Sequence, residues 1–214
     1  MNDSKLINSR KDFLKSKIDF NNYEDDPMHM FNIWIQKALE LDSEDPISFV
    51  LSTVSEEGSP SSRVVLLREI SEEGIVFFTN YNSSKAQDID CNPHVSANFY
   101  WKELEKQIKV SGLAHRISSD DSDRYFSSRP RESQLGAWAS MQSSIINLDH
   151  SFESSLIKLE NRFNNLEVDR PEYWGGYCVI PLKMEFWQGR PSRLHDRLIY
   201  EKDNKEWKIN RLSP

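Results

Sequence analysis

The chain has 214 residues, 37% hydrophobic and 11% aromatic, with a formal net charge of −7 and two cysteines. That length suits one large domain or two small ones, and the acidic balance argues against the broad basic field needed for nucleic acid or an anionic membrane. No apolar run reaches the roughly 18 residues of a membrane span, and Cys91 and Cys178 are too few for a disulfide framework or a thiolate metal site. A reducing, cytoplasmic setting is the simplest reading.

Residues 1–26, rich in Asn, Asp, Lys and Ser, read as a loosely held, flexible leader without the apolar centre of a signal peptide. A helix is expected over Pro27–Leu41, where Met28, Phe31, Trp34, Ile35 and Leu39 fall near helical spacing. The period then changes. Ile47–Val54, Arg63–Ile70 and Ile75–Thr79 read as a meander of strands, with turns at Glu56–Pro60 and Ser71–Gly74. A short helix from Ser84 to about Asp90 stops at Asn92-Pro93, and His94–Trp101 and Gln107–Ile117 are longer strands. Ser118 or Ser119 caps a helix with Asp120 and Asp121 in its first turn, and Pro130 ends it near Arg129. A further helix spans about Ser151–Asn164, and strands return at Tyr177–Gln188, Asp196–Glu201 and Trp207–Asn210. Two blocks of strands around a helical insertion point to one barrel-like β core, a single domain over residues 27–214.

Several signatures are absent: no phosphate loop of the Walker type, no Gly-x-Gly-x-x-Gly after a strand, no His-Glu-x-x-His. His29, His94, His115, His150 and His195 show no metal-ligand spacing. What stands out is Arg, Ser, Gln and Tyr at element ends. Tyr125 and Arg129 share a helical face, with Ser133 just past the Pro130 break. Together they suit a phosphate cradle, or equally a helix with a surface arginine. In Arg193-Leu-His-Asp-Arg197, an extended backbone would put Arg193, His195 and Arg197 on one side. Such a face needs an anion or carboxylates opposite it. Arg63 and Arg68 would face opposite ways in a regular strand, unless a bulge or the strand end turns both to one site. Ser83-Ser84-Lys85 opens a helix whose backbone N–H groups favour an anion, or merely a solvated cap. Gln107 and Gln142-Ser143 offer donors and acceptors for the edge of a planar heterocycle, or for water.

In their order and spacing these segments resemble the pyridoxamine 5′-phosphate oxidase family from about Asp45 to Pro214, and more weakly over Pro27–Leu41. The motifs are Arg63-Val-Val-Leu-Leu-Arg68, Phe77-Phe-Thr-Asn80 and Tyr125-Phe-Ser-Ser-Arg-Pro-Arg-Glu-Ser-Gln-Leu-Gly-Ala-Trp138. Beyond them come Gln142-Ser-Ser144, Tyr173-Trp-Gly-Gly176, Glu185-Phe-Trp-Gln-Gly189, Arg193-Leu-His-Asp-Arg197 and Trp207-Lys-Ile-Asn-Arg-Leu-Ser-Pro214. The resemblance implies a mainly β fold with helices, an FMN-binding split β-barrel. It implies a homodimer that oxidises pyridoxamine or pyridoxine 5′-phosphate to pyridoxal 5′-phosphate, with O2 reduced to H2O2.

Carried over by residue, Arg63, Ser84 and Lys85 bind the FMN phosphate region. Val64, Val65, Leu66, Phe78, Thr79, Gln107, Gln142, Ser143, Trp187 and Arg197 complete the cofactor site. The substrate phosphate falls to Arg68, Tyr125, Arg129 and Ser133, with Arg193 and His195 over the substrate ring as the candidate catalytic pair. The family typically has Lys at position 68, Arg at position 84 and, in some members, Tyr at position 78. A split-barrel flavoprotein for another substrate would not need Tyr125, Arg129, Ser133, Arg193 and His195 together. A pyridoxal phosphate carrier without flavin is the non-enzymatic alternative, and Ser84 is the one feature that favours it.

Overall fold

The structure, a computed structural model, describes residues 12–41 and 45–214, so residues 1–11 of the expected leader lie outside the described residues. Helix α1 (Pro27–Glu40) begins where Pro27 brings a preset φ and the Asp26 carboxylate accepts from the Met28 N–H. Strands β1 (Ser48–Val54), β2 (Pro60–Leu66), β3 (Glu69–Ile70) and β4 (Ile75–Asn80) lead to helix α2 (Ser84–Cys91). Strands β5 (His94–Trp101) and β6 (Lys106–Arg116) precede helices α3 (Ser119–Ser128), α4 (Arg131–Ala139) and α5 (Phe152–Arg162). Strand β7 (Trp174–Gln188), one 3-10 turn at Pro191–Arg193, β8 (Asp196–Asp203) and β9 (Glu206–Arg211) follow.

Hydrogen bonding orders the strands β2-β1-β5-β6-β7-β4-β3, with β8 added to β7 and β9 to β8. The long β7 serves two antiparallel partners: Trp174–Val179 lies against β4, and Lys183–Gln188 against β8. The chain forms two compact units. The first comprises Met1–Val50, Ala97–Ser111 and Pro181–Pro214; the second comprises Leu51–Ser96 and Gly112–Ile180.

In the first unit α1 buries Phe31, Trp34 and Ile35. Phe31 meets Phe99 edge-on at 5.2 Å, and Trp34 meets Phe186 edge-on at 5.3 Å. Such aromatic pairs contribute large buried area in a geometry that suits their quadrupoles. Residues 12–26, expected to be loosely held, are tied at several points. The Lys15 N–H donates to Glu105 Oε2 (3.1 Å), the Ile18 N–H to Asp196 Oδ2 (3.2 Å) and the Tyr200 hydroxyl to the Glu24 carbonyl (2.6 Å). These anchors are polar groups far along the chain, which local composition does not reveal.

The second unit packs Phe126, Leu135, Phe163, Val168 and Trp174 into one cluster. Its helices depart from expectation at Arg131–Ala139, which the sequence pattern left unassigned and which forms α4. Pro130 both ends α3 and opens α4, its carbonyl accepting from the Gln134 N–H at 3.1 Å. Strand β7 starts at Trp174, three residues before the expected Tyr177, because Gly175 and Gly176 belong to it. A Cβ at Gly175 would lie 2.1 Å from the Tyr81 hydroxyl oxygen, so glycine there records a close approach inside the sheet.

The Ser71–Gly74 turn joins β3 to β4. A Cβ on Gly74 would meet the Val179 carbonyl oxygen at 2.0 Å, a backbone atom that no side-chain rotation moves aside. Gly74→Ala is therefore expected to destabilise the fold by about 2 kcal/mol or more, as overpacking does. A lowered urea midpoint at constant slope is the expected readout; an unchanged midpoint would show that the turn yields. Among the described residues no helix is long and apolar enough to cross a membrane.

Candidate active site

A cavity of about 830 Å³ lies in the second unit. Every expected site residue between Arg63 and Ser143 lines it except Gln107. The break between β2 and β3 explains one part of this. The expected continuous strand Arg63–Ile70 ends instead at Leu66, and the Arg68 N–H crosses to the Val76 carbonyl (2.9 Å). Arg63 and Arg68, opposed in a regular strand, thereby line the same cavity.

Among the described residues no carboxylate lines this cavity, whereas Arg63, Arg68, Lys85 and Arg129 do. Lys85 lies in the first turn of α2, 7% exposed. Its Nζ donates to Thr79 Oγ1 (3.0 Å), Ser83 Oγ (3.1 Å) and Gln142 Oε1 (3.2 Å), three neutral acceptors. Burial, and then the neighbouring Arg63 charge, push its ammonium down to about 8. The Arg63 guanidinium is held by Thr53 Oγ1 (2.7 Å) and Ser61 Oγ (2.8 Å), with Asp88 3.9 Å away. Ser84 stands exposed at the start of α2 and lines the cavity.

Arg129 caps α3 at its C-terminal end, and its guanidinium carbon lies 4.5 Å from the Trp174 ring centroid. Burial lowers its pKa, and the Arg68 charge adds to that. Its Nη1 is buried and has no hydrogen-bond partner. Such an atom forfeits its hydration for nothing unless an acceptor arrives. Ser133 begins the next turn, in α4, where the helix dipole is positive. Phe78 stacks on Tyr125 with centroids 3.9 Å apart and on Trp174 at 5.4 Å, making an aromatic wall. The cations thus fall into two like-charged neighbourhoods, Arg63 with Lys85 and Arg68 with Arg129. Asp88 faces Arg63 at 3.9 Å, whereas Lys85, Arg68 and Arg129 form no ion pair among the described residues.

Gln107, Trp187, Arg193, His195 and Arg197 belong to the first unit. There the extended reading of Arg193–Arg197 fails. Pro191 starts a 3-10 turn, Ser192 and Arg193 adopt positive φ of 56° and 61°, and strand geometry resumes only at Asp196. Arg193, His195 and Arg197 therefore do not project from one strand face. The Arg190 N–H donates to His195 Nδ1 (3.1 Å), and the imidazole packs against Trp187 at 4.7 Å and Phe13 at 5.6 Å. Burial, then the Arg193 charge, lower its pKa, against the opposing pull of Asp196. Arg197 meets the acidic partner that the sequence allowed for: its Nε donates to Glu185 Oε1 at 2.7 Å.

The sequence reading missed Trp174, although it lies in the Tyr173-Trp-Gly-Gly176 motif. It lines the cavity, stacks on Phe78 and carries the Arg129 guanidinium on its ring. Asn80 and Ser140, which share a hydrogen bond of 3.3 Å at the cavity wall, carried no signal of their own.

Residues 35–161 match the family model described as pyridoxamine 5′-phosphate oxidase, and residues 174–214 match the C-terminal dimerisation region of pyridoxine 5′-phosphate oxidase. The chain is 45% identical to pyridoxine/pyridoxamine 5′-phosphate oxidase 2 of Hydrogenovibrio crunogenus, covering 98% of each. It is 45% identical to the pyridoxine/pyridoxamine 5′-phosphate oxidase of Mannheimia succiniciproducens, covering 98% of this chain and 99% of that one. The chain belongs to the pyridoxamine 5′-phosphate oxidase family.

Among solved structures, PhzG of Burkholderia lata 383, in complex with tetrahydrophenazine-1-carboxylic acid, superposes with a TM-score of 0.87 at 27% identity, over 94% of this chain and 100% of that one. A pyridoxamine 5′-phosphate oxidase-related, FMN-binding protein of Nostoc punctiforme gives 0.73 at 16% identity, over 90% and 100%, a likeness of fold. The mainly β split-barrel class expected from the sequence is the one this family has, and the chain is an oxidoreductase of that family. Its second-unit cavity is lined by Arg63, Arg68, Lys85, Tyr125, Arg129 and Ser133, residues of two of the motifs that carried the resemblance and of the Ser83-Ser84-Lys85 helix start.

Proposed function

We propose that this chain oxidises pyridoxamine 5′-phosphate and pyridoxine 5′-phosphate to pyridoxal 5′-phosphate, with FMN as cofactor and O2 as acceptor, releasing H2O2. The amine substrate also yields ammonia. One observation carries the proposal: a carboxylate-free cavity with two cation pairs, one of them holding an orphaned guanidinium N–H. Two phosphate monoesters, one on the cofactor and one on the substrate, meet that demand. The residues present therefore fit FMN.

The chemistry that bound FMN would supply is a two-electron acceptor for the substrate's C4′–H bond, with oxygen as the final acceptor. The residues of this chain hold and orient. Arg63, Lys85 and the N-terminal amides of α2 take the cofactor phosphate. Val64, Val65, Leu66, Phe78, Thr79, Gln142 and Ser143 bound the remainder of that cavity. Gln107, Trp187 and Arg197 are proposed for the flavin site on the family resemblance. Arg68, Tyr125, Arg129 and Ser133 take the substrate phosphate, and Arg193 and His195 meet the substrate ring. Since His195 Nδ1 accepts the Arg190 N–H, the neutral imidazole carries its proton on Nε2. It serves there as a donor that orients the substrate. The matched dimerisation region supports a homodimer.

Mixing the flavin-loaded protein with pyridoxamine 5′-phosphate under anaerobic conditions tests the reaction. Bleaching of the flavin absorbance is expected; a persistent oxidised spectrum would favour the carrier reading. Position 84 gives a second test. A charge-assisted hydrogen bond contributes roughly 1.5–3 kcal/mol, so Ser84→Arg is expected to tighten FMN binding by about tenfold or more. Fluorescence titration of the apoprotein checks this, and equal affinities in the two proteins would refute it.

A further inference from the structure

We propose that Glu185, together with the C-terminal residues Leu212 and Ser213, is a positioning device that fixes the Arg197 guanidinium for the cofactor. The inference rests on the assignment of Arg197 to the flavin site.

Glu185 lies on β7 with its side chain 5% exposed. Each of its oxygens takes one cation: Arg197 Nε on Oε1 at 2.7 Å and Lys109 Nζ on Oε2 at 2.8 Å. Burial alone would push this carboxyl up; the hydrogen bonds from Arg197 and Lys109, with their charges, outweigh it and leave Glu185 below its ordinary value. It is therefore ionised at neutral pH, a fixed negative charge inside the first unit.

The register shows what this charge serves. Trp187 lies directly opposite Arg197, and Glu185 opposite Ile199, so Glu185, Trp187 and Arg197 share one face of the β7–β8 pair. Two of the three residues assigned to the flavin from this unit thus stand on the face that Glu185 supports. Arg197 is held from a second direction as well. Its Nη1 donates to the Ser213 carbonyl (2.8 Å), and its own carbonyl accepts from the Leu212 N–H (3.0 Å). Two of the three guanidinium nitrogens are occupied, and Nη2 has no partner among the described residues. The result is a planar fork locked in one orientation with a single open edge.

Stability alone does not account for this arrangement. A buried ion pair rarely stabilises more than apolar residues of similar volume, whereas it defines geometry strictly. Orientation is what the clamp adds, and a misplaced donor weakens binding sharply. The last residues of the chain acquire a role on this account, since their backbone forms half of the clamp.

A double-mutant cycle on FMN affinity of the apoprotein tests the proposal. Glu185→Gln keeps the shape and removes the charge; it is expected to weaken FMN binding about tenfold, as is Arg197→Met. The double variant should bind no more weakly than Arg197→Met alone, because Glu185 acts only through Arg197. Additive losses would overturn the clamp, and so would Glu185→Gln binding FMN as the parent does while Arg197→Met does not. Unchanged affinity in Arg197→Met would overturn the flavin assignment and the clamp with it. Should Glu185→Gln fail to fold, deletion of residues 212–214 removes the other half of the clamp. A loss of about threefold or more, absent from an Arg197→Met background, is then expected, and no loss would refute the proposal.

Discussion

Replacing Arg129 with alanine is expected to raise the Michaelis constant for pyridoxamine 5′-phosphate by about 30-fold or more, with a smaller effect on turnover. The guanidinium lies against Trp174 with one buried nitrogen unpartnered and Arg68 as its charged neighbour. A phosphate relieves both defects at once. Each charge-assisted hydrogen bond contributes roughly 1.5–3 kcal/mol, and each 1.4 kcal/mol is about tenfold in affinity. The phosphate is remote from the C4′ carbon, so its loss is felt mainly as uniform binding. The same reasoning gives an opposite sign for the empty protein. Arg129→Ala removes a desolvated, unpaired donor and a like-charge contact, so the apoprotein's melting temperature is expected to hold or rise. Steady-state kinetics beside a melting curve checks both; an unchanged Michaelis constant would remove Arg129 from the substrate site.

The second large effect concerns Lys85. Its ammonium titrates at about 8 when folded and near 10.5 when free, so the unfolded chain binds more protons between those values. Stability contributed at this position is thus lowest below pH 8 and rises as pH rises through the window. Lys85→Met should therefore stabilise the apoprotein at pH 7, and less so at pH 10. Its effect on FMN is the reverse. Above pH 7 a phosphate monoester is already dianionic, its second pKa being about 6. Affinity of the parent should then be flat to about pH 8 and fall above it as Lys85 discharges. In Lys85→Met, affinity should be at least about tenfold weaker at pH 7 and lack that decline. Fluorescence titration from pH 7 to pH 10 distinguishes the two; a parallel decline in both proteins would place the titrating group elsewhere.

Much of this site was legible because its motifs keep the order and spacing of one family, whereas each residue taken singly could equally have been a surface group or a cap. Tyr125, Arg129 and Ser133, the three residues of the phosphate-cradle reading, line one cavity, and Arg63 and Lys85 line it with them. What the pattern hid has physical causes. Helix α4 carries Gly136 and buries only Gln134 and Leu135, so it shows no apolar stripe, and Pro130 reads as a stop when it is also a start. The kink after Leu66 that turns Arg68 toward Arg129 lies within an apolar, β-branched run that looks like unbroken strand. The expected β7 began only at Tyr177 because glycine is disfavoured in strands, whereas Gly175 marks a close approach to Tyr81. The turn at Ser192 and Arg193 depends on positive φ at two non-glycine residues, which no local preference announces. Glu185 opens the Glu185-Phe-Trp-Gln-Gly189 motif, but the sequence assigned it no role. Only its burial between Lys109 and Arg197 separates it from the chain's other acids.

Oxygen uptake by the flavin-loaded protein, compared between pyridoxamine 5′-phosphate and pyridoxamine, tests the central claim most directly. With the Arg68–Arg129 pair reading the substrate phosphate, the phosphorylated amine should drive uptake with stoichiometric peroxide. Its kcat/KM should exceed that of the dephosphorylated amine by about 100-fold or more, as the loss of two charge-assisted hydrogen bonds implies. Equal turnover of the two amines, or no uptake with either, would contradict the account.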